Sequence, residues 1–197
     1  MLGSVRFPYL KKAMPSFEVI STCTNLQLFN IHNEVATVKE KQPFTLGYVG
    51  SVGTWYMLDE MLECFKVLLS YRPDARMLFI NRKEHELIRN RLNALHLDVD
   101  CVEIKSVNHT EVVHEMNRMD AGILFIKPVF SKKASAPTKL GEFLACGVPC
   151  LGNSDVGDVE AVLNDDQVGV VVEKFDDQAF KAALESLLTL CETSGIK

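Results

Sequence analysis

Between residues 44 and 190 the chain alternates short, unbroken apolar runs with longer stretches in which apolar side chains return every three or four positions. The apolar runs Phe44–Val49, Arg76–Ile80, Val99–Ile104, Ala121–Ile126, Val148–Leu151 and Val168–Val172 predict six strands. Helices are predicted over Trp55–Ser70, Lys83–Leu95, a segment capped by Asn108 or Thr110 and running to Met116, Pro137–Cys146, Asp158–Leu163 and Asp176–Leu190. The first of these carries Met57, Leu58, Met61, Leu62, Phe65, Leu68 and Leu69 on one stripe. Strands that are apolar throughout belong to parallel sheets covered on both faces. The alternation therefore predicts an α/β fold, a doubly wound, Rossmann-like, parallel six-stranded sheet in the order 3-2-1-4-5-6. In that order the loops after strands 1 and 4 meet at a crevice.

Residues 1–43 lack this rhythm. Tyr9–Met14 reads as a helix end, Phe17–Ile20 as a short strand, Asn25–Asn33 as an irregular linker and Lys39–Gln42 as a charged turn. A chain that opens in unpaired fragments points to a missing upstream domain.

Composition narrows the classes. A length of 197 residues with 47% hydrophobic content suits one sizeable domain. A net charge of −5 argues against nucleic acid as a partner, and any anionic ligand must be held by a local arrangement. The six cysteines form no CxxC pair and read as buried free thiols of a reducing compartment, so the expected location is the cytoplasm. No apolar run is of membrane-spanning length and the N-terminus lacks a signal-peptide core, which leaves room for peripheral attachment to the inner membrane face. His32, His85, His96, His109 and His114 pair with no cysteine or carboxylate at metal spacing, so no metal site is expected.

Chemistry concentrates at two small-residue loops. Gly50-Ser51-Val-Gly53-Thr54 joins the first strand to the first helix. Its glycines can let backbone approach a phosphate, with Thr54 as the expected helix cap; glycines are also ordinary in any such turn. Pro137-Thr138-Lys139-Leu-Gly-Glu142 opens the fourth helix, with Pro137 expected in its first turn. A lysine there opposes the helix dipole unless an anion is present. Glu142 lies one turn on and can take paired hydrogen bonds from vicinal sugar hydroxyls; a solvated Lys139–Glu142 surface pair is the plain alternative. Lys127, Lys132 and Lys133 crowd the loop after strand 4, either closing over phosphate or simply solvated. Arg82 and Lys83 after strand 2, and Lys105 to Val107 after strand 3, stand where a base or phosphate can be reached. Asp155-Val-Gly-Asp158 either borders a sugar or is a turn, and Trp55 reads as core.

Taken together, Gly50-Ser-Val-Gly53, Asp120-Ala-Gly and Pro137-Thr-Lys139-Leu-Gly-Glu142-Phe-Leu-Ala-Cys-Gly147-Val-Pro149 resemble the C-terminal half of GT-B glycosyltransferases, especially the retaining family 4. Val19–Phe29 resembles the segment that joins the two domains of that fold. The resemblance implies that residues 44–197 bind a UDP- or GDP-linked sugar and that 1–43 are the remnant of an acceptor domain and its linker. Lys139 then faces the diphosphate and Glu142 the ribose. Transfer retains configuration and needs no bound metal or cofactor, the acceptor being a glycan or a lipid-linked glycan. No catalytic residue is assigned, because the acceptor domain is almost wholly absent and the fragment alone is expected to be inactive. Two departures stand out: Ser51 falls near a usual basic residue, and Ala134 replaces a second glutamate. A nucleotide-sugar epimerase of the same architecture and a non-catalytic nucleotide-binding module remain as alternatives. A dehydrogenase is disfavoured, since the first strand–helix turn lacks GxGxxG.

Overall fold

The strands pair in parallel, and helices cover both faces of the sheet. The computed structural model describes residues 22–31 and 42–193. The elements are β1 (Thr45–Val49), α1 (Leu58–Tyr71), β2 (Arg76–Ile80), α2 (His85–Ala94), β3 (Val102–Lys105), α3 (His109–Met116), β4 (Ala121–Leu124), α4 (Thr138–Ala145), β5 (Cys150–Asn153), α5 (Val159–Asp165), β6 (Gly169–Val172) and α6 (Asp177–Thr193). They build a six-stranded sheet in the order β3-β2-β1-β4-β5-β6, as the pattern predicts.

Successive strand residues feed opposite layers. Leu46, Tyr48, Met77, Phe79 and Ile123 pack against α1, α2 and α6 through Met61, Phe65, Leu92, Phe180 and Leu184. Val49, Leu78, Ile80 and Leu124 pack against α3, α4 and α5 through Val112, Met116, Leu140, Phe143 and Val159. Each fully buried side chain of this kind contributes about 1.5–3 kcal/mol.

Element ends move where a hydrogen bond competes with the pattern. Strand β5 begins at Cys150, later than the expected Val148. Gly147, at φ 67°, closes α4 in a Schellman turn, with its N–H on the Leu144 carbonyl and the Val148 N–H on the Phe143 carbonyl. The Val148 N–H is thereby spent, and Pro149 has none. Strand β4 ends early at Leu124, and beyond it the buried Asn153 side chain takes over the ladder. Its Oδ1 accepts from the Ile126 N–H (2.8 Å) and its Nδ2 donates to the Ile126 carbonyl (3.0 Å). Strand β3 starts at Val102, because Val99–Cys101 form a 3-10 turn in which the Asp98 carboxylate accepts the Asp100 N–H.

The start of α1 corrects the sequence reading. Thr54 is not a cap: it sits at φ 49°, and the helix begins only at Leu58, after Met57 has donated its N–H to the Phe125 carbonyl (3.1 Å). Trp55 lies outside the helix and is 42% exposed, so it is not core. Pro137 stands at the N-cap of α4, one place before the first helical residue.

Residues 22–31 are part of the body. The 25–29 turn, closed by the Leu28 and Phe29 N–H groups on the Asn25 carbonyl, buries Phe29 against α3 and α4. Phe29 meets the His109 ring edge-on at 5.7 Å, and Asn117 donates to the Asn30 carbonyl at 3.2 Å. Thr24 fills the notch over Gly141, where a Cβ would meet its hydroxyl at 2.5 Å. The expectations for Tyr9–Met14, Phe17–Ile20 and residues 39–41 lie outside the described residues. Cys64, Cys146 and Cys150 are buried as expected, whereas Cys23 is exposed.

His96 and Gln167 occupy the left-handed position that glycine takes after α4, at φ 54° and 53°, closing α2 and α5. Both are exposed. His96→Gly and Gln167→Gly are each expected to stabilise the fold by about 1 kcal/mol, read as a rise in the denaturant midpoint at constant slope.

Candidate functional site

The carboxyl ends of β1 and β2 open into a cleft of about 450 Å3, bounded by the starts of α3 and α4. Gly50, Ser51, Arg82, Lys83, Val107 and Lys139 all line it, so the structure gathers one residue group from each of the first four strand–helix junctions. Its floor is apolar, from Val49, Ile80 and Val112, and its rim carries the cations Arg82, Lys83 and Lys139.

Lys139 reaches this rim from the first turn of α4. Its Nζ lies 2.7 Å from Oε2 of Glu142, whose side chain is only 6% exposed against 31% for the lysine. The pair is therefore not a solvated surface contact: the carboxylate is inside and the ammonium at the mouth. The helix itself is unusual here. The first turns of α1, α2, α3, α5 and α6 carry Asp59 and Glu60, Glu86, Glu111, Glu160 and Asp177. The first turn of α4 carries no acid and its N-cap, Pro137, offers no side-chain bond. The positive end of α4 is the one left without an acidic residue among the described α-helices.

The loop after β1 is built differently from the sequence reading. Asn81, 1% exposed at the end of β2, accepts the N–H groups of Lys83 (3.1 Å) and Glu84 (2.7 Å) on its Oδ1. Its Nδ2 donates to the Gly50 carbonyl (2.9 Å) and to Glu84 Oε2 (2.7 Å). Glu84 Oε2 also accepts the Val52 N–H at 3.0 Å. Beneath them the Tyr48 hydroxyl donates to the Ser51 carbonyl at 2.5 Å, and burial, with Tyr56 and Glu84 nearby, raises its pKa well above the phenol range. Glu84 and His109 also line the cleft and were not singled out from sequence. Asn81-Arg-Lys-Glu84 ahead of a helix has the form of a capping box, and that signal was legible.

Other expected contacts lie elsewhere. Gly53 and Thr54 line a separate, shallower recess with Lys127, Asp59 and Arg91, because the chain turns away after Val52. Lys105 is held on the outer face of β3 by Glu103 (2.9 Å) and Glu115 (3.2 Å), and the Glu103 bond raises its pKa. Lys132 stacks over the Trp55 ring at 5.1 Å, and Lys133 is exposed beside it. Pro137 and Thr138 stand at the head of α4 next to Lys139. Asp155 sits in a turn at φ 62°, and Gly157 in that turn packs on the Ser135 backbone. No group of three or more His, Cys, Asp or Glu residues able to hold a metal occurs among the described residues.

Comparison with known proteins decides the family. The model of "Glycosyl transferases group 1" matches residues 31–194. The chain belongs to the glycosyl transferases group 1 family. A search of curated proteins found no significant match. Among solved structures, WaaG, a glycosyltransferase involved in lipopolysaccharide biosynthesis, superposes with a TM-score of 0.62 at 19% identity, over 81% of this chain and 43% of its own. The pneumococcal O-GlcNAc transferase GtfA, in complex with UDP and GlcNAc, gives 0.61 at 15% identity, over 85% and 32%. The C-terminal domain of a glycosyl transferase group 1 family protein (LpcC) from Francisella tularensis gives 0.59 at 16% identity, over 85% of this chain and 90% of its own. This group 1 chain thus spans less than half the length of the WaaG and GtfA chains and corresponds in extent to the isolated LpcC domain. No described helix is long and apolar enough to cross a membrane.

Proposed function

We propose that this chain is the donor-binding half of a retaining glycosyltransferase and holds a nucleoside-diphosphate sugar in the cleft between β1, β2 and the head of α4. The observation that carries the reading is Lys139, which lines the same cleft as Gly50 at the acid-free end of α4 and is paired with the buried Glu142 behind it. A buried carboxylate and a half-exposed ammonium match a ribose diol next to a diphosphate. On binding, Lys139 swings from Glu142 to the diphosphate while the ribose hydroxyls replace it on the carboxylate. Negative charge building on the leaving diphosphate then meets Lys139 and the α4 backbone N–H groups, which are already oriented. Arg82, Lys83 and Val107 stand where the base or outer phosphate lies. No resident metal or cofactor is invoked. UDP and UDP-2-fluoro glucose in structures of similar fold support a nucleotide-sugar donor, with UDP or GDP as the carrier. An N-terminal domain of the full-length protein supplies the acceptor site, and any contact with the cytoplasmic membrane face runs through that domain.

Ser51 favours a second reading, a nucleotide-binding module without turnover, because it lines the cleft near where the resemblance expects a basic side chain. A thermal-shift screen of nucleotide sugars tests the first step common to both. A ligand at a hundred times its dissociation constant stabilises the chain by about 2.7 kcal/mol. A flat panel across UDP- and GDP-linked sugars contradicts both readings, and full-length protein that binds donor yet transfers to no acceptor extract favours the second.

A further inference from the structure

We infer that Glu84 is a specificity-determining residue: an internal anion that fills the phosphate-receiving place of the β1 loop and selects against the most highly charged occupants of the cleft. The inference rests on the donor reading and deepens it.

Three contacts place the carboxylate. Oε2 takes the Val52 N–H at 3.0 Å and the Asn81 amide at 2.7 Å, and Asn81 in turn holds the Gly50 carbonyl at 2.9 Å. Oε1 lies 3.1 Å from where a Cβ on Gly53 would stand. A glycine-rich turn after the first strand ordinarily offers its backbone to a phosphate. Here the Val52 N–H is already given to a side chain of the same molecule, and the Glu84 carboxylate lies close over Gly53. Among the described residues, Glu84 is also the one carboxylate lining a cleft whose other permanent charges are Arg82, Lys83 and Lys139. A diphosphate is thus denied the Val52 end of the β1 loop and driven to the Lys139 side. The repulsion grows with ligand charge and is smaller for a sugar-capped diphosphate than for the free diphosphate, which carries more charge.

Glu84→Gln keeps one oxygen to accept from Val52 and Asn81 and removes only the charge. Calorimetric affinities of uridine, UMP, UDP and UDP-glucose, with the guanosine series in parallel, are compared in the native chain and in this variant. The expected tightening rises with charge, from less than twofold for the nucleoside to about tenfold for the free diphosphate, with the sugar-linked diphosphate between. A uniform change across the series, or none, overturns the inference while leaving the donor reading intact. Failure of every ligand to bind the native chain removes the donor reading and this one with it. A measurement on the native chain covers a variant that does not fold. On addition of UDP the Val52 amide resonance should shift less than those of Thr138 and Lys139. A Val52 amide that shifts most overturns the inference.

Discussion

Methionine in place of Lys139 is expected to lower folding stability by about 3 kcal/mol, the low end for a broken buried pair because the ammonium keeps a third of its exposure. The lysine side chain is 31% open to water, but Glu142 beneath it is only 6% exposed and has Lys139 as its counter-charge at 2.7 Å. The stem of methionine replaces the packing and not the charge, so a carboxylate is left inside without compensation. Adding Glu142→Leu should return stability to within about 1 kcal/mol of the native chain, because both charges are then gone and the volume is filled. Chemical denaturation of the four members of this cycle gives the coupling directly. Neither single nor double variant should retain nucleotide affinity. A binding defect alone therefore cannot separate a ligand contact from a structural one, and the cycle can.

Gly157→Ala should destabilise by at least about 3 kcal/mol and weaken nucleotide binding in whatever folded protein remains. The residue sits at φ 47°, and an added Cβ would lie 1.5 Å from the Ser135 carbonyl oxygen and 2.6 Å from its carbon. Both atoms are backbone, so no rotamer change relieves the overlap. Residues 134–137 must move, and with them the entry to α4 and Lys139. Gly169→Ala makes a comparable control: its Cβ would meet the Cys150 carbonyl oxygen at 2.2 Å, at the β5–β6 pairing remote from the cleft. It should unfold the chain as readily and leave affinity per folded molecule unchanged. Equal loss of affinity in both variants would contradict the placement of the site.

The sheet was legible because its determinants are local. Leu46, Met77, Ile123 and Leu151 sit in runs short enough for strands and apolar enough for a sheet covered on both sides, and the handed strand–helix crossover leaves few orders to choose from. Gly147 announced its turn by residue type alone. What misled the reading was tertiary. Thr54 has the chemistry of a cap, yet the Met57–Phe125 bond holds the chain out of the helix for three more residues. Lys105 looked available until Glu103 and Glu115, one two residues before it and one ten after, closed on it. Gly53 looked like a phosphate cradle, and only coordinates reveal a carboxylate arriving from Glu84, 32 residues from its partner Val52. The head of α4 shows the reverse: the sequence placed Lys139 beside Glu142, and the burial difference between them, which sets their distinct roles, is a property of the fold.

The central claim is that Lys139, Glu142 and the β1 and β2 loops form one nucleoside-diphosphate site. A calorimetric titration of the chain with UDP and with GDP, repeated on Glu142→Gln, tests it most directly. The account predicts one-to-one binding of one of the two, weakened at least tenfold by the amide while the circular-dichroism spectrum and unfolding midpoint stay close to native. No heat of binding with either nucleotide, or an affinity indifferent to Glu142→Gln, would contradict it.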